Sequence, residues 1–308
     1  MCDVSIIIVS YNTKQLLIDC IASIISETSG IDYEIIVSDN GSTDGSVEEI
    51  RRLFPEVLVI ENNENLGFGA ANNRGLEKAR GKYILYLNSD TVLLNNAVKL
   101  FYDYFEKAED KDKIGVIGCY LQNPDGGYSH SLGPFPKYSD LCATEFHTLL
   151  HDIKVSLIKF LHLPYNVKNT DEEKPDISTG DMFYVIGADM FLRSSTDARF
   201  DERFFLYCEE TDMQLRMINN GLHNVIIEGP EIMHIEHGCD KKYKCNIHPC
   251  IWIDYSYILY ANKNFNKNAI LLKILVVLIY LNPYVYKRSA FLLKRILSAP
   301  LKMLECSW

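Results

Sequence analysis

The sequence contains no run of about twenty apolar residues, the length a membrane-spanning helix requires. Its first twelve residues lack the basic opening of a secretory signal and lead straight into a strand-like pattern. Cysteine occurs nine times, an odd number at scattered positions, which suits reduced thiols in a cytosolic protein better than a disulfide framework. No internal repeat is visible, and 47% apolar with 23% charged residues excludes wholesale disorder, collagen and low-complexity scaffolds. Acidic residues are missing between Lys263 and Lys302, where eight Lys and Arg occur. The chain as a whole carries −10 and the last six residues add only Glu305, so residues 1–262 carry −17. An acidic body argues against nucleic-acid binding, and the basic, apolar tail suits contact with an anionic surface.

Short apolar runs alternate with helix-like stretches over the first 120 residues. Residues 4–9 form a β-branched run ending at Ser10-Tyr11-Asn12. Residues 13–27 then place Leu16, Leu17, Cys20, Ile21, Ile24 and Ile25 at helical spacing. A second strand at 33–37 ends in Asp39-Asn40-Gly41-Ser42-Thr43-Asp44, where Asp44 can cap a helix running to about Phe54. A third strand (57–61), a helix (69–80) and a fourth strand (83–87) follow, the last stopping at Asn88-Ser89-Asp90. This order predicts an α/β fold with a mostly parallel central sheet covered by helices on both faces. Ligands bind such sheets beyond the carboxyl ends of the strands, where the three polar clusters fall. Further on, a helical insertion spans about 137–175, one apolar strand region covers 182–192, and a helix over 209–220 stops at Gly221.

Each cluster has a chemical and a plain structural reading. A carboxylate directly after a buried strand, with a polar partner two residues earlier on the same face, can reach a divalent cation, as Asp90 and Asn88 would. Asp90 can equally cap the next helix. Asp39 can accept hydrogen bonds from a base or ribose, yet its segment is also ordinary turn chemistry. The Gly67-Phe68-Gly69 pair lacks the third glycine and follows the third strand, so it does not make a dinucleotide fingerprint. Glu209, Glu210 and Asp212 place three carboxylates within four residues. Mutual repulsion favours a raised pKa or a nearby cation, and one of them could act as a general base. A charged first helical turn, favoured by the helix dipole, would give the same pattern.

Taken in order, these segments resemble family 2 glycosyltransferases over about residues 3–238. The segments are Ser10-Tyr11-Asn12, Asp39-Asn40-Gly41-Ser42-Thr43-Asp44, Asn65-Leu66-Gly67-Phe68-Gly69-Ala70-Ala71-Asn72, Asn88-Ser89-Asp90, Gly187-Ala188, and the stretch from Phe200 to Asp212. The rhamnosyltransferase-like branch is the most similar. The resemblance implies a GT-A fold in residues 1–240 and inversion at the anomeric carbon of a nucleotide sugar, while charge and apolar spacing make 241–308 a C-terminal extension with basic amphipathic helices. It assigns Ser10, Tyr11, Asn12, Asp39, Asn40, Gly67, Asn72, Asn88 and Ser89 to the nucleotide. It assigns Asp90 and His234 to Mg2+ or Mn2+. Glu210 falls where the family usually has an aspartate base, and Glu209 or Asp212 could be better placed because Glu reaches one methylene further. Asn88 replaces the first carboxylate of the family's metal motif. The implied donor is dTDP-rhamnose or a UDP-sugar. The implied acceptor is a bacterial surface glycan or lipid-linked glycan, at the inner face of the plasma membrane, with room for a homodimer.

Rival readings are a catalytically silent binding protein on the same fold, a Rossmann oxidoreductase and a sugar-phosphate nucleotidyltransferase. The carboxylate set argues against the first, the position of the Gly-x-Gly against the second, and Ser10-Tyr11-Asn12-Thr13 in place of a basic glycine loop against the third. His234, His237, Cys239, Cys245, His248 and Cys250 also crowd six soft ligands into 17 residues, although the spacing matches no standard zinc site. Residues 269–304 are apolar on one side and cationic on the other, as interfacial helices are. Packing on the acidic body or a second subunit is the alternative.

Overall fold

The computed structural model describes residues 2–161, 182–235, 248–265 and 269–281. The chain divides into two units. Met1–Phe135, Glu172–Phe205 and Glu209–Lys244 form the first, and Pro136–Asp171, Leu206–Cys208 and Cys245–Trp308 the second. The segment expected as an insertion thus groups with the C-terminal helices.

In the first unit, β1 (Val4–Ser10), β2 (Tyr33–Asp39), β3 (Leu58–Glu61) and β4 (Tyr83–Asn88) alternate with α1 (Lys14–Glu27), α2 (Ser46–Leu53) and α3 (Phe68–Leu76). A short strand β5 (Thr91–Leu93), helix α4 (Ala97–Lys107), and strands β6 (Ile114–Cys119) and β7 (Leu132–Pro134) follow. After the second unit's first segment come β8 (Phe183–Val185), β9 (Asp189–Arg193), α6 (Glu209–Asn219), β10 (His223–Ile227) and β11 (Ile232–His234). The main sheet runs β10-β6-β9-β4-β1-β2-β3. All its pairings are parallel except those of β9, which runs antiparallel to both β4 and β6. Period-two alternation divides the apolar strands between two cores. Ile6 and Ile8 face α1 and α4 with Leu17, Ile21, Ile24 and Phe101, while Ile7 faces the opposite core with Met190, Phe200 and Met213.

Two sequence expectations change. The apolar region 182–192 is two strands separated at Gly187: β8 pairs with β7, and β9 enters the main sheet. Asp44 is not the cap of α2. Gly45, left-handed with φ 78°, takes that position, and Asp44 one residue earlier accepts from the Ser46 amide at 3.1 Å and the Lys14 amide at 3.0 Å. Cys2, Cys20, Cys119, Cys142 and Cys208 are free thiols.

The described part of the second unit is helical: α5 (Tyr138–Phe160), α7 (His248–Asn264) and α8 (Ile270–Tyr280). Three of its acids are buried. Glu145 on α5 hydrogen-bonds Asp254 on α7, and the Tyr280 hydroxyl of α8 donates to Asp254 Oδ2 at 2.5 Å. Burial, then the Asp254 charge, push Glu145 up to about 8. Burial also raises Asp254 to about 6, with Asp152 nearby adding to it and the bonds from Tyr280 and Glu145 opposing. Two buried carboxyls in contact hold a shared proton.

Because both folded-state values lie above the ordinary carboxylate values of 4.5 and 3.8, the pair's contribution is complete at acid pH. It is lost as pH rises through about 6 and then about 8. The thermal midpoint of the helical transition, followed by circular dichroism, should therefore fall between pH 5 and pH 9, and Glu145→Gln should flatten that slope. A midpoint that rises over this range, or an unchanged slope in the variant, contradicts the shared proton.

Candidate active site

Strand register assembles the site. Ser10 pairs with Asp39 across β1 and β2, and Val9 pairs with Asn88 across β1 and β4, so three loops leave one edge at the same level. The first two loops are stitched together. Asn12, left-handed at φ 55°, donates its amide to Ser42 Oγ at 2.8 Å and accepts the Thr43 amide on its own Oδ1 at 2.8 Å. Asp39, buried, accepts from the Ser42 amide at 2.8 Å and from Ser42 Oγ at 2.6 Å. Its carboxylate has lone pairs beyond these two bonds to offer a ligand hydroxyl or N–H. Tyr11 is partly exposed at the same edge. Ser10 contacts Thr13 Oγ1 at 3.3 Å, and Thr13 in turn donates to Ser89 Oγ at 3.2 Å, tying the first loop to the third.

Asn40 is a hub. Its Nδ2 donates to Asn65 Oδ1 at 3.2 Å and to the Gly67 carbonyl at 3.1 Å, and its Oδ1 accepts from Asn62 Nδ2 at 3.0 Å. The residues implied for the nucleotide therefore come together, but the side chains of Asn12, Asn40 and Asn72 serve the loops themselves. Asn72 is buried and donates back to the Phe68 carbonyl one turn earlier in α3. Gly67 has φ 87°, and a Cβ there would lie 2.2 Å from the Phe205 carbonyl oxygen. The Phe68 amide donates to that same oxygen at 2.9 Å, so only glycine permits the approach.

Asp90 and His234 are 144 positions apart in sequence and adjacent in space. β5 pairs antiparallel with β11, Thr91 opposite His234, and the Ile235 amide donates to the Asp90 carbonyl at 2.9 Å. The result is a separation of 3.4 Å between Asp90 Oδ1 and His234 Nε2, both side chains largely buried. Asp90 caps no helix, since β5 follows directly and α4 begins at Ala97. Asn88, partly exposed, ends β4 two residues earlier. A carboxylate oxygen and an imidazole nitrogen this close fit a divalent cation with ligands about 2.1 Å away. Among the described residues no group of three or more His, Cys, Asp or Glu could hold a metal. His237, Cys239 and Cys245 lie outside the described residues, as do the side chains of His248 and Cys250.

The three acidic candidates form the first turn of α6, and their surroundings separate them. Asp212 is fully buried and lies 3.6 Å from Arg216 Nε. Glu209 is 2% exposed, its Oε2 has no hydrogen-bond partner among the described residues, and burial followed by the Glu210 charge pushes it well above the ordinary value. Glu210 is partly accessible. The packing around its carboxyl raises it to about 7, against bonds from its own and the Thr211 amides at the helix start. Two successive left-handed residues, Tyr207 at φ 71° and Cys208 at φ 65°, bend the chain immediately before this turn.

The sequence reading missed Asp189. This residue is fully buried on β9 opposite Leu87, accepts the Cys119 amide at 2.7 Å, and is pushed up to about 7 by burial, with His234 opposing. The available signal was a single carboxylate inside an otherwise apolar strand.

Solved structures share this architecture. A mannosyltransferase from Pyrobaculum calidifontis, in complex with GDP-Man and Mn2+, superposes with a TM-score of 0.53 at 15% identity, covering 96% of this chain and 75% of that one. TarS of S. aureus (residues 1–349, with UDP-GlcNAc) gives 0.51 at 12% identity, covering 94% and 75%. The fold is GT-A. Among curated proteins, an uncharacterized glycosyltransferase of Haemophilus influenzae is 36% identical over 122 residues, 39% of this chain and 36% of that protein. The UDP-Glc:alpha-D-GlcNAc-diphosphoundecaprenol beta-1,3-glucosyltransferase WfaP of Escherichia coli is 31% identical over 153 residues, 46% and 59%. The N-acetylglucosaminyl-diphospho-decaprenol L-rhamnosyltransferase of Mycobacterium tuberculosis is 24% identical over 216 residues, 65% and 66%. The chain thus spans from about a third to just under two thirds of the length of these relatives. The model of glycosyl transferase family 2 matches residues 5–163, just over half of the sequence, and the chain belongs to that family.

Proposed function

We propose that the chain transfers a sugar from a nucleotide-diphospho-sugar, dTDP-rhamnose or a UDP-sugar, to a hydroxyl of a bacterial surface glycan or lipid-linked glycan, with inversion. The observation that carries the reading is that Asp39, the close Asp90–His234 pair and a partly accessible Glu210 belong to one unit of a family 2 chain. The WfaP and M. tuberculosis relatives, whose names specify lipid-diphosphate sugars as acceptors, support a lipid-linked acceptor.

Asp39 and Tyr11 would hold the nucleoside, against loops kept in place by Asn12, Ser42 and Asn40. Asp90 and His234 would hold Mg2+ or Mn2+, which neutralises charge on the departing diphosphate when bound. Glu210 accepts the proton of the acceptor hydroxyl as its oxygen forms the new bond to the anomeric carbon. The bond from that carbon to the phosphate oxygen breaks, and the nucleoside diphosphate leaves with the electron pair. One displacement from the opposite face inverts the centre. A folded-state value of about 7 suits a base that must take a proton near neutrality. Asp212, engaged by Arg216, and the deeply buried Glu209 are poorer candidates.

Incubating the protein and an undecaprenyl-diphosphate-sugar acceptor with a panel of nucleotide sugars tests the assignment. One donor should be consumed with release of its nucleoside diphosphate, whereas intact donors across the panel with retained nucleotide binding would indicate a silent binding protein. Asp90→Ala should lower turnover on the order of 10³-fold with an unchanged unfolding midpoint. Near-normal turnover in that variant would remove Asp90 from the metal.

Glu210→Gln should lower kcat on the order of 10²- to 10⁴-fold while donor affinity stays within a few-fold. In the unsubstituted protein kcat/KM should rise with pH and level off above about 7, because only the deprotonated carboxylate can accept the proton. A larger loss in Glu209→Gln or Asp212→Asn, or a rate that falls as pH rises from 5 to 7, contradicts the assignment.

A further inference from the structure

Helix α5 has a buried side and an exposed apolar stripe. Leu141 lies on the buried one, together with Glu145 and Asp152. The other is open: Phe146, Leu150, Ile153 and Leu157 recur at intervals of four, three and four, each 48 to 57% exposed. At 1.5 Å per residue this stripe is about 17 Å long. Helix α8, which packs beside α5, is apolar all round apart from Lys273. Leu272, Val276 and Ile279 are buried, while Ile270, Leu271, Ile274 and Leu278 are 44 to 61% exposed on the opposite side. A helix apolar on every side, as α8 is, is stable when both sides are covered, and soluble monomers rarely leave so much apolar surface to water.

Charge selects the cover. The chain carries −10, yet the described surface of the second unit is the reverse. Of its four acids, Glu145, Asp152 and Asp254 are buried and Asp140 alone is exposed, whereas Lys137, Lys154 and Lys273 are all exposed. The sequence from Lys263 to Lys302 supplies eight basic residues and no acid. Among the described residues no helix is long and apolar enough to cross a membrane. A wide aliphatic face with basic flanks and no spanning helix matches the plane of a lipid interface, with acyl chains beneath the stripe and anionic headgroups at its edges. A protein partner would more commonly meet hydrogen-bonding groups in the face itself, and these stripes offer none.

We infer that the outer faces of α5 and α8 seat the second unit on the surface of an anionic bilayer. The inference does not depend on the donor or on the acceptor. It is tested by co-sedimentation of the full chain with vesicles of phosphatidylglycerol and phosphatidylcholine, and with phosphatidylcholine alone. The full chain should bind the anionic vesicles, more weakly in high salt. Leu150→Glu/Leu157→Glu and, separately, Ile274→Glu should each lower the partition coefficient on the order of tenfold with the unfolding midpoint unchanged. Binding that is absent, or equal in both variants and the unsubstituted chain, overturns the inference. So does a lipid-free dimer in sedimentation velocity that the same substitutions split, which would assign the face to a second copy.

Discussion

The level ending of β2, β1 and β4 is the constraint on which the site depends. Parallel pairing with Ser10 against Asp39 and Val9 against Asn88 delivers three polar loops to one edge of a sheet whose strands are otherwise apolar. The cost of bringing these loops together is met far from them, by Ile6, Ile8, Ile35 and Leu85 in one core and by Ile7, Ile36 and Ile84 in the other. A one-residue slip of β1 would swap Ile6 and Ile8 with Ile7 between the two cores and move Ser10 off Asp39. Fold and site are thus fixed by the same register.

What the edge presents to a ligand is set by how the loops bind one another. Ser42 joins Asn12 to Asp39, Asn40 joins Asn62, Asn65, Leu66 and Gly67, and Thr13 joins Ser10 to Ser89. Gly67 closes the set by letting the Phe205 carbonyl approach where no side chain fits. The loops are thus held to one another before any ligand arrives, and the Asp39 carboxylate, which takes part through Ser42, keeps further lone pairs to offer. Asp90 and His234 depend on a different element, the short β5–β11 ribbon, whose pairing brings together two residues that local sequence could never connect.

Much of this was legible in the sequence, for a physical reason. Strand cores with no polar residue read as a covered parallel sheet, and polar clusters where those cores stop read as strand ends. The strand break at Gly187 was not legible, since an apolar run gives no sign of a gap between two short strands. The loop-holding bonds of the Asn40 side chain were not legible, because a turn asparagine and a binding asparagine look alike until partners are known. Nor was the open stripe on α5, because apolar spacing reveals that a face wants cover without saying whether the fold covers it. Asp189 shows the opposite case, a lone carboxylate whose burial only the neighbouring strands could establish.

The proposed chemistry depends most directly on the Asp90–His234 pair acting with a nucleoside diphosphate. Calorimetric titration of the full chain with UDP and with dTDP, each in Mn2+ and in EDTA, measures this without any acceptor. Binding of one nucleotide should strengthen at least about tenfold in Mn2+, and His234→Ala should remove that dependence while leaving the metal-free affinity in place. Nucleotide affinity indifferent to Mn2+ in the unsubstituted protein would contradict it.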